Sequence, residues 1–445
     1  MENKYNILNE SFNNSYGIPI SVRKQMLLTL KKMLDDKRID ISTSVKKDLH
    51  KSYFETYHLE INQVEHEIDT HLENLDSWLC ERKFINPLKY LSLSSTGYGS
   101  AYVEKKPLGR VLIIGAWNYP VNLALTPLVG AISAGNSVML MLPSTKYTNN
   151  TSSYLELEFK TYFKDNPYLK VSIGGRENIT KVLEFKWDLI FYTGSSTVGK
   201  IIYKKAAEQL TPVVLELGGK SPCIVNKQNN MELLIDRIVW GKLSNCGQTC
   251  IAPDYFLVHK DYADDFILNL KRTINKFYGN DIEKSEDYGR IINEKAFDRL
   301  KKILEKDINN IVYGGNSNKD RLYIEPTIIN FKDNYNQFVN SGSMSDEIFG
   351  PIIPIYYYND VSDINEILEL NKNPLASYLF CDNWKEISDN IRSGSMVIND
   401  TLMQMCSPLP FGGVGNSGIG CYHGKYSFDT FTYNKAILVR PKWGE

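Results

Sequence analysis

Cysteine is scarce in this chain of 445 residues: seven, at 80, 223, 246, 250, 381, 406 and 421. An odd, sparse set without a repeating frame excludes a disulfide scaffold and fits a reducing compartment with free thiols. Long hydrophobic runs are missing as well. No stretch of about 18 apolar residues occurs, so no transmembrane helix is expected, and no basic, apolar leader opens the chain, so the expected location is the cytoplasm. Excess charge of either sign is also absent. A formal net charge of -1 gives no global attraction to nucleic acid or to an acidic membrane surface. There are only six histidines, at 50, 58, 66, 71, 259 and 423, and none sits in a recognisable thiol-protease motif. Cys246 and Cys250 have no second Cys or His pair at ligand spacing, so no metal site is expected. Internal repeats, low-complexity tracts and long Pro/Gly-rich linkers are lacking too.

What is present is ordinary globular material: 42% hydrophobic and 23% charged residues, enough to bury a core in each of two or three domains. Tyr57, Ile61, Val64, Ile68, Leu72, Leu75 and Leu79 recur at intervals of three and four, the apolar face of a helix over 57–79. From residue 107 the pattern changes. Short apolar runs at 111–114, 138–142, 189–192 and 213–217 predict buried strands, with helices over 121–134 and 198–210 between them. That alternation implies an α/β fold with βαβ units and a parallel sheet, which binds dinucleotides at the carboxyl ends of its strands. A second series follows Cys250, with strands near 256–258 and 352–358 and helices near 261–277 and 296–306, which points to a second α/β domain. Residues 88–106 alternate apolar and polar positions around Thr96-Gly97-Tyr98-Gly99, suggesting an exposed hairpin.

Several segments carry chemistry. Cys250 closes Asn245-Cys246-Gly247-Gln248-Thr249-Cys250; a thiolate is the strongest common side-chain nucleophile near neutral pH, although a lone Cys more often packs in a core. Cys246 could be a second thiol of the same site or a packing residue. Glu216 ends an apolar strand before Gly218 and Gly219, where it is either a base with a burial-raised pKa or a surface carboxylate. Asn118, in Trp-Asn-Tyr-Pro, can donate an amide hydrogen bond to a developing oxyanion, or equally cap a turn or helix. Thr193-Gly194-Ser195-Ser196-Thr197-Val198-Gly199 follows a strand and opens a helix, a place that suits phosphate.

These segments, in this order, together with Glu347-Ile348-Phe349-Gly350-Pro351 and Pro410-Phe411-Gly412-Gly413, resemble the aldehyde dehydrogenase superfamily from roughly residue 20 onward. Residues 248–255 and 413–418 are most similar to its class 3, or fatty-aldehyde, branch. The resemblance implies a Rossmann-like cofactor-binding domain from 1–88 and 107–218 and a catalytic domain from 219–416. A helix in 417–432 would return to the first domain, and a small β arm from 89–106 and 433–445 would bridge two subunits of a homodimer. It implies oxidation of medium- or long-chain aliphatic, or aromatic, aldehydes to carboxylates with NAD or NADP. Cys250 would be the thioester-forming nucleophile, Glu216 the base and Asn118 the oxyanion donor with the Cys250 backbone N–H. Trp117, Ser144, Gly194, Ser195, Gly199, Leu217, Gly218, Glu347 and Phe349 would hold the cofactor, Glu347 at the ribose with Phe349 beside it. Some relatives end in a hydrophobic membrane anchor; residues 438–445 are too short and polar to form one, and no stable anchor is expected.

One departure stands out. Where the family commonly has Lys-Pro-Ser-Glu, this chain has Leu142-Pro143-Ser144-Thr145. Losing a charged partner for the adenine ribose costs about 1.5 to 3 kcal/mol. It also removes a carboxylate that would repel a 2'-phosphate, and Lys146 follows, so acceptance of NADP as well as NAD is expected. Two other readings are a non-enzymatic protein that kept the fold and a thiol esterase acting without a dinucleotide.

Overall fold

The computed structural model describes residues 1–80, 100–226, 230–382, 384–406 and 408–439. Its first sheet has six strands in the order Gly418–Ile419, Val213–Glu216, Leu189–Thr193, Arg110–Ile114, Ser137–Leu142 and Leu169–Ile173. All are parallel except Gly418–Ile419, which runs antiparallel to Val213–Glu216. Every residue of Ser137–Leu142, Leu189–Thr193 and Val213–Glu216 is buried, as expected of strands covered on both faces. The helix Asn122–Ala134 is buried along its whole length, so its apolar residues need no polar side. Strand order reverses between Arg110–Ile114 and Leu189–Thr193, and a crevice opens there at the carboxyl ends.

The second sheet has seven strands in the order Ser395–Ile398, Ala376–Phe380, Ser221–Val225, Pro253–His259, Ile352–Tyr358, Thr327–Asn330 and Ile311–Tyr313. Only Ile311–Tyr313 pairs antiparallel. Residues 217–220 alone separate Glu216, the last residue of a strand in the first sheet, from Ser221, the first residue of a strand in the second. That short crossing sets the spacing between the two halves of the site.

The expected elements are present with small shifts at their ends: Ser196–Ala207 for the helix placed at 198–210, Lys260–Tyr278 for 261–277 and Glu294–Lys306 for 296–306. The 57–79 segment differs in kind. It begins as a π-helix, Tyr57–Ile61, and becomes an α-helix only over Asn62–Cys80. Spacing of apolar residues does not distinguish the two, because an extra residue in one turn leaves the i, i+4 pair Tyr57 and Ile61 intact. Most of the 88–106 hairpin lies outside the described residues. Its end, Ser100–Pro107, is a strand paired antiparallel with Thr432–Val439 in register 100 to 439. The returning helix is Gly424–Thr430.

Candidate active site

A cavity of about 420 Å³ sits in the crevice and reaches across to the second sheet. Of the side chains singled out from the sequence, Cys250, Glu216, Asn118, Trp117, Ser144, Gly194, Ser195, Leu217, Gly218, Glu347 and Phe349 all line it. Gly199 does not. It lies in the first turn of the helix Ser196–Ala207, where a Cβ would stand 2.9 Å from Leu217 Cδ2; its smallness serves helix-to-strand packing.

Cys250 is delivered by an unusual turn. The helix Met231–Leu243 ends, and Asn245, Cys246 and Gly247 follow with φ of 51°, 55° and 75°. Left-handed backbone at non-glycine residues is strained and persists only where neighbours over-determine it. Here they do. The Asn245 N–H donates to Glu55 Oε1 at 2.6 Å, and its side-chain amide donates to the carbonyls of Asn118 (2.8 Å) and Gln248 (3.1 Å). Buried Gln248 is fully used: Nε2 donates to the carbonyls of Asn245 and Arg290, and Oε1 accepts from the Ile292 N–H. Thr249 shares a 2.7 Å hydroxyl bond with Tyr119, and the Tyr378 hydroxyl donates to the Ile251 carbonyl. Cys246 points away from the cavity into the core, its thiol 3.4 Å from the Tyr288 hydroxyl, so it packs.

The thiol of Cys250 is pushed up to about 12 by burial, with the carboxylates of Glu347 and Glu216 adding to the effect and the backbone N–H groups of Cys250 and Ile251 opposing it. It is a resting thiol. Glu216 is 2% exposed, and neither of its carboxylate oxygens accepts a hydrogen bond from a described residue. Burial alone raises its pKa well above the carboxylate range. A surface carboxylate is therefore excluded. A buried, unsatisfied acid is costly, and such groups belong where a proton must be moved. Asn118 is not a helix cap: the following helix starts at Asn122 with Val121 as its cap residue, and the Asn118 amide donates to the Gln248 carbonyl at 3.1 Å.

Glu347 enters from the second sheet's side. Its carboxylate rests so closely on Gly218 that a Cβ there would lie 2.3 Å from Oε2. Its pKa is raised to about 8 by burial, with the charge of Asp254 adding and the Gly219 N–H and Lys220 opposing. Lys220, whose role the sequence left unread, holds this loop: it pairs with Asp254 and donates to the carbonyls of Ser343 (2.8 Å) and Asp346 (3.0 Å). Asp254 in turn accepts the Ile348 N–H at 2.8 Å.

At the other end the cavity lies between Ser144, Pro143 and Ser195, whose hydroxyl caps the helix Ser196–Ala207 by accepting from the Val198 N–H. Glycine at 194, a helix N-terminus and the strand ends suit a dinucleotide's phosphates. Tyr147 and Tyr192 also line this end and had no motif to mark them. Tyr147 stacks on Trp117 (6.0 Å, 16°), and Trp117 meets Phe349 edge-on (5.6 Å). Leu142 is buried at a strand end and Thr145 is exposed at a helix start. Lys146 lies outside the central cavity, in an adjoining groove with Arg176 and Lys181.

The sequence profile of the aldehyde dehydrogenase family matches residues 8–437. The chain belongs to the aldehyde dehydrogenase family. It is 40% identical to the 4,4'-diaponeurosporen-aldehyde dehydrogenase of Staphylococcus aureus (strain NCTC 8325 / PS 47), over 99% of this chain and 94% of that one. The dimeric NADP-preferring aldehyde dehydrogenase of Rattus norvegicus is 39% identical over 98% of this chain and 94% of that protein. A solved substrate-bound state of Staphylococcus aureus AldH superimposes with a TM-score of 0.93 at 39% identity, covering 100% of this chain and 95% of that chain. This aldehyde dehydrogenase is thus an NAD(P)-dependent oxidoreductase, with family 3 proteins among its relatives.

Proposed function

We propose that this enzyme oxidises medium- or long-chain aliphatic, or aromatic, aldehydes to carboxylates through a thioester on Cys250. The observation that carries this is the convergence of one half-buried thiol, one buried acid without a hydrogen-bond partner among the described residues and one amide on a single cavity. Bound NAD or NADP supplies the hydride acceptor. The rest falls on side chains of this chain. Cys250 gives up its thiol proton to solvent, its sulfur forms a bond to the carbonyl carbon, and the oxygen that gains the electron pair is met by the Asn118 amide and the Cys250 N–H. Loss of hydride leaves a thioester. Glu216 then takes a proton from water, the resulting C–O bond displaces sulfur, and the acid leaves with the thiol restored.

The substrate class rests on the apolar surroundings. Ala116 and Leu123 line the cavity and pack with Leu59 and Tyr119 in a small cluster that Trp240 and Met405 cover. An apolar tail desolvated there gains about 25 cal/mol per Å². The relative named for a diaponeurosporen aldehyde supports an apolar substrate, and the relative named dimeric supports a homodimer. The ribbon of Ser100–Pro107 and Thr432–Val439, which leaves Tyr433, Leu438 and Val439 exposed, is where that dimer would form.

The test is reduced-nicotinamide absorbance with a panel of aldehydes, each with NAD and NADP, for the native protein and Cys250→Ala. Turnover is expected to rise with the apolar length of the aldehyde and to vanish in the variant, with cofactor binding retained. Preference for short, charged aldehydes would overturn the substrate class. NAD binding about a hundredfold tighter than NADP, roughly 2.7 kcal/mol, would overturn dual cofactor use.

A further inference from the structure

We infer that the buried ion pair Lys51–Glu60 is a positioning device for the oxyanion-binding amide of Asn118, an inference that rests on the proposed role of that amide. Both side chains are 0% exposed and lie 2.7 Å apart. Nothing about their place in the chain suggests chemistry. Yet their hydrogen bonds beyond the pair lead to residues 118–122, and their charges also act on Glu55, which holds the Asn245 N–H. Lys51 Nζ donates to the Asn118 carbonyl at 2.8 Å and stands 3.7 Å from the centre of the Tyr119 ring. Glu60 Oε2 accepts the Val121 N–H at 2.8 Å, and the neighbouring Leu59 carbonyl accepts from the Asn122 amide at 3.1 Å.

The ammonium therefore faces a carboxylate, a carbonyl and an aromatic ring. A methyl-tipped side chain of the same length would fill the space and aim nothing. Stability alone is poorly served by such a pair, since replacing a buried ion pair with apolar residues is often neutral or stabilising. Glu60 belongs to the π-helix Tyr57–Ile61, and Leu59, Glu60 and Ile61 are buried in succession. The extra residue in that turn presents adjacent groups to one loop, and such turns are frequent at functional sites. On its other side the Asn118 carbonyl also receives the Asn245 amide, from the segment that carries Cys250. The carbonyl of Asn118 thus joins the N-terminal helices to the nucleophile's turn, beside the direct bond from the Asn245 N–H to Glu55, and its side chain starts from that fixed backbone.

The test is a mutant cycle read on hydrolysis of p-nitrophenyl acetate, which uses the thiol and the oxyanion donors but neither aldehyde nor cofactor. The variant is Lys51→Met with Glu60→Gln, which removes both charges of the pair and keeps an acceptor for the Val121 N–H; Glu55, whose ionised form Lys51 favours and Glu60 opposes, remains, so Glu55→Gln is placed in every arm of the cycle. Expected is a fall in kcat on the order of 10- to 100-fold with KM and NAD(P) affinity unchanged, and a much smaller fall when Asn118→Ala is already present. Lys51→Gln with Glu60→Gln, which restores a donor toward the Asn118 carbonyl, is expected to recover part of the rate. If the Met variant does not fold, Lys51→Gln with Glu60→Gln carries the same cycle. Effects that multiply with Asn118→Ala, or a loss confined to melting temperature, overturn the inference. An unaltered protein that cleaves no ester overturns it too, whereas failure of the aldehyde reading shows separately as missing reduced cofactor.

Discussion

Glu216 is held without a hydrogen bond from any described residue, and burial is the whole cause of its raised pKa. Glu216→Gln keeps the shape and removes the base. Expected is a steady-state rate lower by about 10²- to 10⁴-fold with a first turnover of reduced cofactor still visible, read by stopped-flow absorbance. Since the acid must be ionised to work, the native rate should climb toward alkaline pH; the variant should lose the part of that climb that belongs to Glu216 and keep the part that belongs to the Cys250 thiol. Glu347 yields a stability prediction with a definite sign. Its folded pKa, about 8, lies above the ordinary 4.5, so the folded state keeps a proton that the unfolded state releases. Its contribution is fully present below about pH 4.5 and is lost as pH rises toward 8. Glu347→Gln should therefore raise the melting temperature of the cofactor-free protein more at pH 8 than at pH 5; an equal shift at both would contradict the assignment. Beside the cavity, Lys146 and Arg176 are exposed in one groove. Changing both to Ala should weaken NADP by about tenfold, roughly 1.4 kcal/mol, and leave NAD unchanged in a fluorescence titration.

Among the elements, the turn Ser244–Gly247 is tightly constrained. At Gly247, with φ of 75°, a Cβ would lie 2.4 Å from the Gly350 carbonyl oxygen. Gly247→Ala should cost about 1 to 3 kcal/mol of stability and displace Cys250, so that thermal melting and turnover fall together. The motif around this turn was readable because Gln248, Thr249 and Gly247 each have one demanding task. The strands at 111–114, 138–142, 189–192 and 213–217 were readable because sheets covered on both faces require unbroken apolar runs. Ala376–Phe380 and Ser395–Ile398 were not. Ser377 in the one, and the partly buried residues throughout the other, blur any such run. The π-turn at 57–61 was invisible because its i, i+4 pair satisfies either helix. Tyr147 and Tyr192 were missed because an aromatic ring on a helix or strand has no motif; only tertiary packing turns it toward the cavity. At Gly199 the sequence left two tasks open: in a strand-to-helix turn, closeness to a ligand and closeness to a neighbouring leucine leave the same mark in the sequence.

In the whole molecule Glu216 ends a strand of the first sheet while Cys250 lies in the turn before Pro253–His259 of the second, and Ser100–Pro107 pairs with the distant Thr432–Val439 to form the arm. If that arm joins two subunits, Leu438→Asp, at a residue 64% exposed, should shift sedimentation velocity from dimer to monomer without altering the circular dichroism of the subunit. The crossing at residues 217–220 has a different consequence. Gly218 has no functional group and takes part in no proton transfer, yet the carboxylate of Glu347 lies where its first carbon would be. In a saturation-mutagenesis map of this enzyme scored by survival on an aldehyde, that column should be as blank as the one for Cys250. Its emptiness would come from geometry, and restoring a truncated partner at 347 should partly refill it.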